Sequence, residues 1–353
     1  MHVSVIGGGI SGIAAAYHLR QRLSPDDEVT IYEAGATVGG VIRSDRLKGT
    51  VIEGGPDTLF VKDEVVRSWV SELGLDQDLV YPRADVKPAW RITADGDRPG
   101  RSSTENGVTF SDGMGALPKR AAKTFGGTLK LGASITRLEP IPGTPGWRIY
   151  RDRRVYRADA VVLATPAPIT RRLVASWQPG LAHELDAIVH RPRAVVVGLY
   201  QAGAIPDHLK EHAGFWNDPD TPWLIDACTV LSRKWAYPED GNYIALRTFW
   251  GAHPIDVRTW SDTDLMVHHR HELEVLAGVR EDPLESRIYR WNSALPQLSP
   301  DQQERIRNWS QTLAQTHPSI AMVGAFHAGL GVGSCITDAF SGADRLLKRL
   351  GVG

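Results

Sequence analysis

Cysteine is scarce in this sequence. Cys228 and Cys335 are its only two cysteines in 353 residues, and they form no CxxC pair. This spacing argues against a disulfide framework and against a cysteine-based zinc site, and it fits a reducing compartment. We therefore expect a cytoplasmic protein without a bound metal.

Long apolar runs and an excess of one charge are also missing. No apolar stretch approaches the roughly 18 residues needed to cross a bilayer. The N-terminus enters a predicted strand without the basic and apolar regions of a secretory signal. A net charge of -1 gives no reason to expect a nucleic-acid partner. A peripheral membrane contact and the oligomeric state stay open, with a homodimer among the alternatives.

A glycine-rich turn follows the first predicted strand, His2–Ile6. Gly7, Gly9 and Gly12 stand in G-x-G-x-x-G spacing, and an alanine-rich helix comes next. The first glycine permits a tight turn, the second lets the backbone approach a pyrophosphate, and the third lets the helix pack on the strand. The helix N-terminus favours the negative charge of the phosphates. This order predicts a dinucleotide site.

An acidic residue stands where such a site needs one. Glu33 ends the second predicted strand, VTIYEA, and comes 21 residues after Gly12. A carboxylate there accepts hydrogen bonds from ribose hydroxyls and would repel a 2′-phosphate. A glycine-rich turn that binds nothing is the alternative interpretation, but the strand, the helix and the acid together favour the dinucleotide.

Two further glycine pairs, Gly39-Gly40 and Gly54-Gly55, follow in the stretch GATVGGVIRSDRLKGTVIEGGPDTLF. This stretch resembles the cofactor-binding segment of flavoproteins in the amine oxidase and protoporphyrinogen oxidase superfamily. The resemblance implies FAD, with VGGVIRS along the pyrophosphate and flavin and with the backbone of EGGPDT against the isoalloxazine ring. Glycine permits that close approach because it has no Cβ.

The other end of the chain agrees with this resemblance. Val323–Leu350 predicts a strand, a glycine-rich turn and a terminal helix, with Ile336, Phe340 and Leu347 on one face of the helix. In the superfamily, the segment that resembles GLGVGSC places a helix N-terminus against the flavin pyrimidine. A helix dipole there stabilises the anion of reduced flavin.

The resemblance gives a full set of expected cofactor contacts. These residues are Gly7, Gly8, Gly9, Ile10, Ser11, Gly12, Glu33, Ala34, Gly39, Gly40, Val41, Arg43, Gly55, Pro56, Asp57, Thr58, Ile135, Gly324, Gly331, Val332 and Gly333.

Two blocks in the second half resemble the porphyrinogen oxidase branch more than the amine oxidases. They are WLIDACTVLSRKWAYPEDGNYIALRTFWGAH, over Trp223–His253, and RWNSALPQLSP, over Arg290–Pro300. The resemblance to bacterial protoporphyrinogen and coproporphyrinogen oxidases covers about nine tenths of the chain. The first block also predicts a plain β-meander, so it supports kinship more than a catalytic role.

These features predict an α/β fold: a Rossmann-like FAD-binding domain of the glutathione-reductase-2 type, with an inserted α+β substrate domain built on an antiparallel sheet. The expected limits are 1–85, 111–168 and 291–353 for the FAD-binding domain, 86–110 for a shortened insertion or loop, and 169–290 for the substrate domain.

The chain departs from the branch on the substrate side. Relatives carry a long helical insertion where this chain has only TADGDRPGRSSTENGVTF, and a natural loss or an engineered deletion would leave the same sequence. His327 replaces the usual tyrosine, and Leu298 interrupts the usual P-Q-Y. We therefore expect an intact FAD site beneath a changed substrate cleft.

Three functions fit this pattern. The first is an FAD-dependent oxidase that moves hydride from a C–H beside nitrogen to flavin N5, with O2 as the expected acceptor, on a small molecule such as a cyclic amine, a cyclic imine or a secondary-metabolite intermediate. The second is a genuine protoporphyrinogen or coproporphyrinogen oxidase with a minimal substrate domain. The third is a non-catalytic flavin-binding protein.

Candidate substrate contacts are mostly aromatic. His327 and Phe326 precede the turn expected to meet the flavin, and we predict them as catalytic residues, although a hydrogen-bonded scaffold histidine is the alternative. Trp216, Trp235, Trp250 and Trp291 are further candidates, but each fits a packed core better than a substrate site because large aromatic side chains are mostly buried. Lys234 is expected to pair with a neighbouring acid.

Overall fold

The computed structural model describes residues 1–100, 106–238, 241–252 and 255–352, without the side chain of Ala294. The strands are β1 (His2–Ile6), β2 (Glu28–Tyr32), β3 (Ser44–Leu47), β4 (Thr50–Glu53), β5 (Leu59–Phe60), β6 (Leu79–Val80), β7 (Trp90–Thr93), β8 (Gly96–Arg98), β9 (Gly107–Phe110), β10 (Thr128–Lys130), β11 (Arg137–Pro140), β12 (Trp147–Arg151), β13 (Arg154–Ala158), β14 (Ala160–Leu163), β15 (Val189–Gln201), β16 (Gly214–Asn217), β17 (Ile225–Val230), β18 (Tyr243–Trp250), β19 (Glu285–Gln297) and β20 (Ile320–Met322). The α-helices are α1 (Ile10–Arg22), α2 (Glu64–Glu72), α3 (Ala116–Thr124), α4 (Ala167–Val174), α5 (Pro179–Asp186), α6 (Asp207–Lys210), α7 (Leu231–Lys234), α8 (Asp262–Ala277), α9 (Pro300–Thr316), α10 (Ala325–Ala328) and α11 (Val332–Arg349).

A parallel sheet with the strand order β10-β2-β1-β14-β20 carries the expected nucleotide turn. The strand β1 pairs with β2 on one side and with β14 on the other. Because the chain leaves β1 in one direction and returns beside it from the other, a crevice opens at the carboxyl ends of these strands. The glycine turn after Ile6 lies at that edge.

One face of this sheet is covered by α1 and α11 from opposite ends of the chain. Apolar residues of both helices share a core with Val3, Val5 and Ile31 of the sheet. The Rossmann-like part of the predicted fold is confirmed, and it is assembled from both chain ends.

The other face carries the β11–β12–β13 meander and the helices α4, α5 and α9. Leu173, Leu185 and Ile306 from these helices share a core with Ile6 and Leu163 of the sheet. We call the part of the molecule built on the parallel sheet the nucleotide half, and the part built on the second large sheet the substrate half. The helices α4 and α5 pack with the nucleotide half, although the predicted boundary at residue 169 places most of them with the substrate half.

The second large sheet has the order β19-β15-β18-β17-β16-β7-β8 and is mainly antiparallel. Its strand β19 continues to Gln297, so the predicted boundary between residues 290 and 291 falls inside a strand. The segment 86–110, predicted as a loop, forms the β7–β8 hairpin at the sheet edge and then β9. Residues 101–105 of the stretch RPGRSSTENG lie outside the described residues.

One row of directly paired residues shows which face of this sheet meets the nucleotide half. The row crosses six strands through Tyr289, Val195, Phe249, Ala227, Trp216 and Arg91. Paired residues point to the same face, and the ring of Tyr289 packs against Gly54 of the third glycine segment. The opposite face is covered by α8.

Candidate active site

The glycine turn after β1 has room for a ligand at one position only. A Cβ on Gly7 would lie 2.5 Å from the carbonyl oxygen of Ala164, and a Cβ on Gly12 would lie 1.9 Å from that of Gly7. A Cβ on Gly9 would meet no described atom within 4 Å. Gly7 and Gly12 therefore serve the fold, and the space at Gly9 fits the approach of a pyrophosphate.

The two helices expected to face the cofactor begin without a side-chain cap in the described structure. Gly9 precedes α1 and Gly331 precedes α11, and neither helix has an acidic residue in its first turn. Ser261 and Ser299, by contrast, close the N-termini of α8 and α9 with complete capping boxes. The free N–H groups of α1 and α11 are available to an anionic ligand.

Glu33, which the sequence predicts to bind the ribose, lies beside the glycine turn. Its two carboxylate oxygens accept hydrogen bonds from the backbone N–H groups of Gly8 and Gly35, each at 2.6 Å. These bonds fix the carboxylate beside the glycine turn. Each oxygen keeps a lone pair for a ribose hydroxyl.

The three glycine segments stack in sequence order. Gly39 donates its N–H to the carbonyl of Gly8 at 2.8 Å, and a Cβ on Gly40 would lie 3.4 Å from Cα of Gly9. A Cβ on Gly55 would lie 1.8 Å from the carbonyl oxygen of Val41. The residues thus form a continuous path from the ribose end to the face of the large sheet, as an extended dinucleotide requires.

Apolar side chains are exposed along this path. Val41, Phe60 and Leu330 are 40%, 47% and 50% exposed. The backbone of Phe60 lies beside Gly333 at the start of α11. A flat ring bound between these segments would cover apolar surface that is otherwise exposed to solvent. The residues present therefore fit FAD.

The remaining expected contacts vary in accessibility. The guanidinium of Arg43 donates to the hydroxyl of Thr37 and is half-buried. Ile135 is buried with the meander core. The others lie on the segments described above, with Ala34 after β2, Ile10 and Ser11 in the first turn of α1, Pro56 and Thr58 after β4, Gly324 after β20 and Val332 at the start of α11.

Asp57 is occupied by protein rather than open to a ligand. Its carboxylate pairs with Lys234 Nζ at 2.8 Å and with Arg247 Nη2 at 2.9 Å, and all three side chains are nearly buried. Burial alone would raise the pKa of Asp57, but the charges of Arg247 and Lys234 outweigh it and hold that pKa well below its usual range. The expectation that Lys234 pairs with a neighbouring acid agrees with this geometry.

Glu53, just before the third glycine pair, was not singled out by sequence. Its carboxyl is fully buried and contacts the hydroxyl of Ser44 at 2.6 Å and the N–H of Met114 at 2.7 Å. Burial raises its pKa to about 8, against the lowering effect of these two hydrogen bonds. The carboxyl thus joins the turn before α3 to the segment EGGPDT, which the sequence predicts to contact the flavin and which we call the flavin segment.

Arg247 is the functional candidate that the sequence reasoning missed. It is 2% exposed, and its Nη1 donates to the carbonyls of Gly55 at 3.0 Å and Glu53 at 3.5 Å. The available signal was a charged residue in the apolar strand YIALRTFW. An arginine inside such a strand needs buried partners.

The two predicted catalytic residues lie in different surroundings. Phe326 is 2% exposed and packs in the core beneath α9, so its side chain does not line an open cleft. His327 bonds through Nδ1 to Asp338 of α11 at 2.8 Å, while Gly324 donates its N–H to the same carboxylate. The pairing fixes the ring beside the turn before α11 and leaves Nε2 without a partner among the described residues.

The four candidate tryptophans differ in their exposure to solvent. Trp235 and Trp250 are fully buried, and Trp291 donates its indole N–H to the carbonyl of Gly54 at 2.6 Å. Trp216 is 53% exposed and lines a cavity of about 110 Å³ with Thr229 and Lys234. Of the four, only Trp216 is more than half exposed and lines a cavity.

Comparison with known families gives the class of this protein. Residues 10–97 and 96–347 match the family described as flavin containing amine oxidoreductase. The chain belongs to that family. It is an FAD-dependent oxidase related to the porphyrinogen oxidases, as the sequence predicted.

Individual relatives cover nearly all of the chain at low identity. The coproporphyrinogen III oxidase of Mycobacterium tuberculosis is 24% identical over 447 aligned positions, which include 98% of this chain and 97% of the relative. That of Bacillus subtilis is 22% identical over 451 positions, with 95% of each chain covered.

Solved structures show the same fold. A candidate protoporphyrinogen oxidase from Exiguobacterium superposes with a TM-score of 0.85 at 19% identity, covering 99% of both chains. Cyclohexylamine oxidase from Brevibacterium oxydans superposes with a TM-score of 0.77 at 12% identity, again over 99% of both chains. Within the described residues, no helix is both long and apolar enough to span a membrane.

Proposed function

We propose that this protein oxidises a substrate smaller than a porphyrinogen by taking hydride from a carbon beside nitrogen. The supporting observation is the break in the family match, whose two segments meet at residues 96 and 97. These residues lie in β8, at the edge of the substrate sheet. The break coincides with the place where the sequence comparison predicts a lost insertion.

The size of the cavity beside Trp216 supports the same conclusion. Its volume is about 110 Å³, and it lies between residues 82–89 and the face of the sheet that meets the nucleotide half. Pockets for drug-sized ligands usually measure roughly 300–1,000 Å³. A compact nitrogen heterocycle suits this space better than a tetrapyrrole does.

The residues have separate roles in this proposal. Flavin, when bound, supplies the hydride acceptor. The N-terminus of α1 holds the pyrophosphate, Glu33 orients the ribose, and Gly55 presents backbone to the ring. His327, held by Asp338, orients the substrate from the side of α11. Trp216 and Phe249 on the sheet face exclude water from the reacting carbon.

A coproporphyrinogen oxidase is the second candidate. The two relatives of that name described above match 98% and 95% of this chain, at 24% and 22% identity. O2 as acceptor and a cytoplasmic location stay predictions, and a non-catalytic flavin protein stays a third alternative.

Anaerobic reduction of the flavin separates these candidates. The purified holoprotein is mixed without oxygen with a panel of saturated nitrogen heterocycles and with coproporphyrinogen III, and the loss of flavin absorbance is followed in time. We expect rapid bleaching by a member of the first group. Bleaching at a catalytic rate by coproporphyrinogen alone would favour the second candidate.

Substitution of Trp216 tests the site itself. Trp216→Ala is expected to raise the concentration of the active heterocycle needed for half-maximal reduction about tenfold, without changing FAD affinity. Leu284→Ala, which truncates an apolar side chain that is 46% exposed just before β19, is the matched control. Equal effects of the two substitutions would remove Trp216 from the substrate site.

A further inference from the structure

A buried group of three charges joins the flavin segment to the substrate sheet. This charge cluster consists of Asp57, Lys234 and Arg247, whose side chains are 8%, 10% and 2% exposed. Asp57 follows β4, Lys234 ends α7, and Arg247 lies in β18. The cluster therefore bridges the two halves of the molecule.

The charges of the cluster do not balance. It holds two cations and one carboxylate. The ammonium of Lys234 donates its hydrogen bonds to Asp57 and to the hydroxyl of Thr58. The adjacent carboxyl, Glu53, is mostly protonated at neutral pH, since burial raises its pKa to about 8. Burial lowers the pKa of Lys234, whereas its contacts with both oxygens of Asp57 favour the protonated form. With Lys234 protonated, the cluster carries one positive charge that Asp57 does not balance.

One donor of the cluster is also unused. The Nε atom of Arg247 is buried and has no hydrogen-bond partner among the described residues. The charge of Arg247 itself pairs with Asp57, but a buried donor without a partner is costly, and an added anion would satisfy it. The cluster is thus prepared for negative charge that the protein chain itself does not supply.

The cluster lies directly behind the segment proposed to meet the flavin ring. Arg247 holds the carbonyl of Gly55 at 3.0 Å, and Gly55 packs against the backbone of Val41. Val41 in turn follows Gly40, which packs on the nucleotide turn at Gly9. Arg247 therefore contacts this path directly at Gly55.

We propose that the uncompensated positive charge of Asp57, Lys234 and Arg247 raises the reduction potential of the bound flavin. In the reductive step the substrate C–H bond breaks, both electrons leave with the hydrogen, the substrate becomes an iminium cation, and the flavin ring gains one negative charge. A fixed positive charge behind the ring favours that gain because it needs no rearrangement when the charge develops. This effect adds to that of the α11 N-terminus.

Two substitutions that break the same ion pair distinguish this role from a structural tie. Lys234→Met removes a positive charge and Asp57→Asn removes the negative one. The reduced-to-oxidised ratio of the flavin is measured at a fixed potential against a reference dye, beside FAD affinity and urea unfolding. We expect the ratio to fall about tenfold or more in Lys234→Met and to rise in Asp57→Asn. Shifts of the same sign, or no shift, would overturn the proposal.

Conservative and remote controls complete the test. Lys234→Arg keeps the charge and is expected to keep the wild-type ratio. If Asp57→Asn does not fold, the comparison of Lys234→Arg with Lys234→Met still separates the effect of charge from that of structure. A fall in Lys234→Arg as large as in Lys234→Met would also overturn the proposal. Arg305→Met breaks a surface pair with Glu184 and is expected to leave the ratio unchanged.

Discussion

The helices expected to face the cofactor differ from α8 of the substrate half in how the N–H groups at their N-termini are satisfied. In the nucleotide half, α1 and α11 begin at glycines with free N–H groups, and the charge cluster at its border keeps an unpaired donor. In the substrate half, α8 begins with a closed capping box. The contrast applies to these helices rather than to the halves as wholes, because α9 on the nucleotide sheet also has a capping box and α7 in the substrate half has no side-chain cap.

A buried histidine shows how closed the substrate core is. His269 of α8 contacts the hydroxyl of Tyr200 at 3.1 Å and that of Thr248 at 2.8 Å, and Trp250 donates to the same Thr248 hydroxyl at 2.9 Å. Burial lowers the pKa of His269 to about 3, so the ring is neutral. Every ring nitrogen has a partner, and the network holds the scaffold.

Gly12→Ala tests the nucleotide half most severely. The new Cβ would lie 1.9 Å from a backbone oxygen that cannot move aside. We expect a loss of at least about 3 kcal/mol in the free energy of unfolding, at the upper end of overpacking costs, together with loss of FAD binding. Urea unfolding and an FAD fluorescence titration check both effects. Wild-type values would show that the turn is not packed as described.

Gly9→Ala separates ligand space from folding. Its Cβ meets no described atom within 4 Å, so we expect FAD affinity to fall about tenfold or more while the free energy of unfolding of the apoprotein changes by no more than about 1 kcal/mol. Gly203→Ala, equally unobstructed but in the substrate half, is the matched control. Unchanged FAD affinity in Gly9→Ala would mean that the ligand lies elsewhere.

Opposite pH dependences follow from the two buried titratable groups. The pKa of Glu53 is raised from 4.5 to about 8, so its share of the stability is present below pH 4.5 and is lost as pH rises to about 8. The pKa of His269 is lowered from 6.5 to about 3, so its share is present above pH 6.5 and is lost as pH falls to about 3.

Glu53→Gln isolates these effects. Of these two groups, Glu53 is the one whose contribution changes between pH 6.5 and 8, by about 1.4 kcal/mol per pH unit at most. We therefore expect the wild-type free energy of unfolding to fall over this range and the variant to lose that slope, as measured by urea unfolding. An identical slope in both proteins would show that the carboxyl is already ionised at pH 6.5.

Ser261→Ala is expected to give the smallest effect and tests the capped helix α8 of the substrate half. Loss of the α8 capping box is expected to cost about 1 kcal/mol of unfolding free energy. FAD affinity should stay unchanged because this helix faces away from the nucleotide. A change in affinity larger than the Gly203→Ala control would argue that the two halves are coupled.

The sequence predicted the nucleotide half well because local patterns define it. The spacing of Gly7, Gly9 and Gly12 and the acid at Glu33 lie within one β-α-β unit, where spacing along the chain fixes spacing in the fold. The resemblance of both chain ends to one superfamily supplied the rest. FAD as cofactor and the fold class are confirmed.

The charge cluster and the sheet edge could not be predicted in the same way. Asp57 lies 177 residues before Lys234, so no local pattern links them, and the packing of α7 and β4 against β18 brings the two cations to one carboxylate. In the β7–β8 hairpin, β7 alternates apolar and polar residues over only four positions, and β8 is polar and three residues long. Pairing with β16 and with each other forms these short strands.

Binding of coproporphyrin III, the stable aromatic counterpart of coproporphyrinogen, tests the central claim most directly because it does not require knowledge of the true substrate. The holoprotein is titrated while porphyrin fluorescence and the flavin spectrum are recorded. A complete FAD site beside a reduced substrate cleft predicts no saturable change in either signal. Saturable binding with a Kd of about 1 µM or tighter, accompanied by a flavin spectral shift, would contradict it.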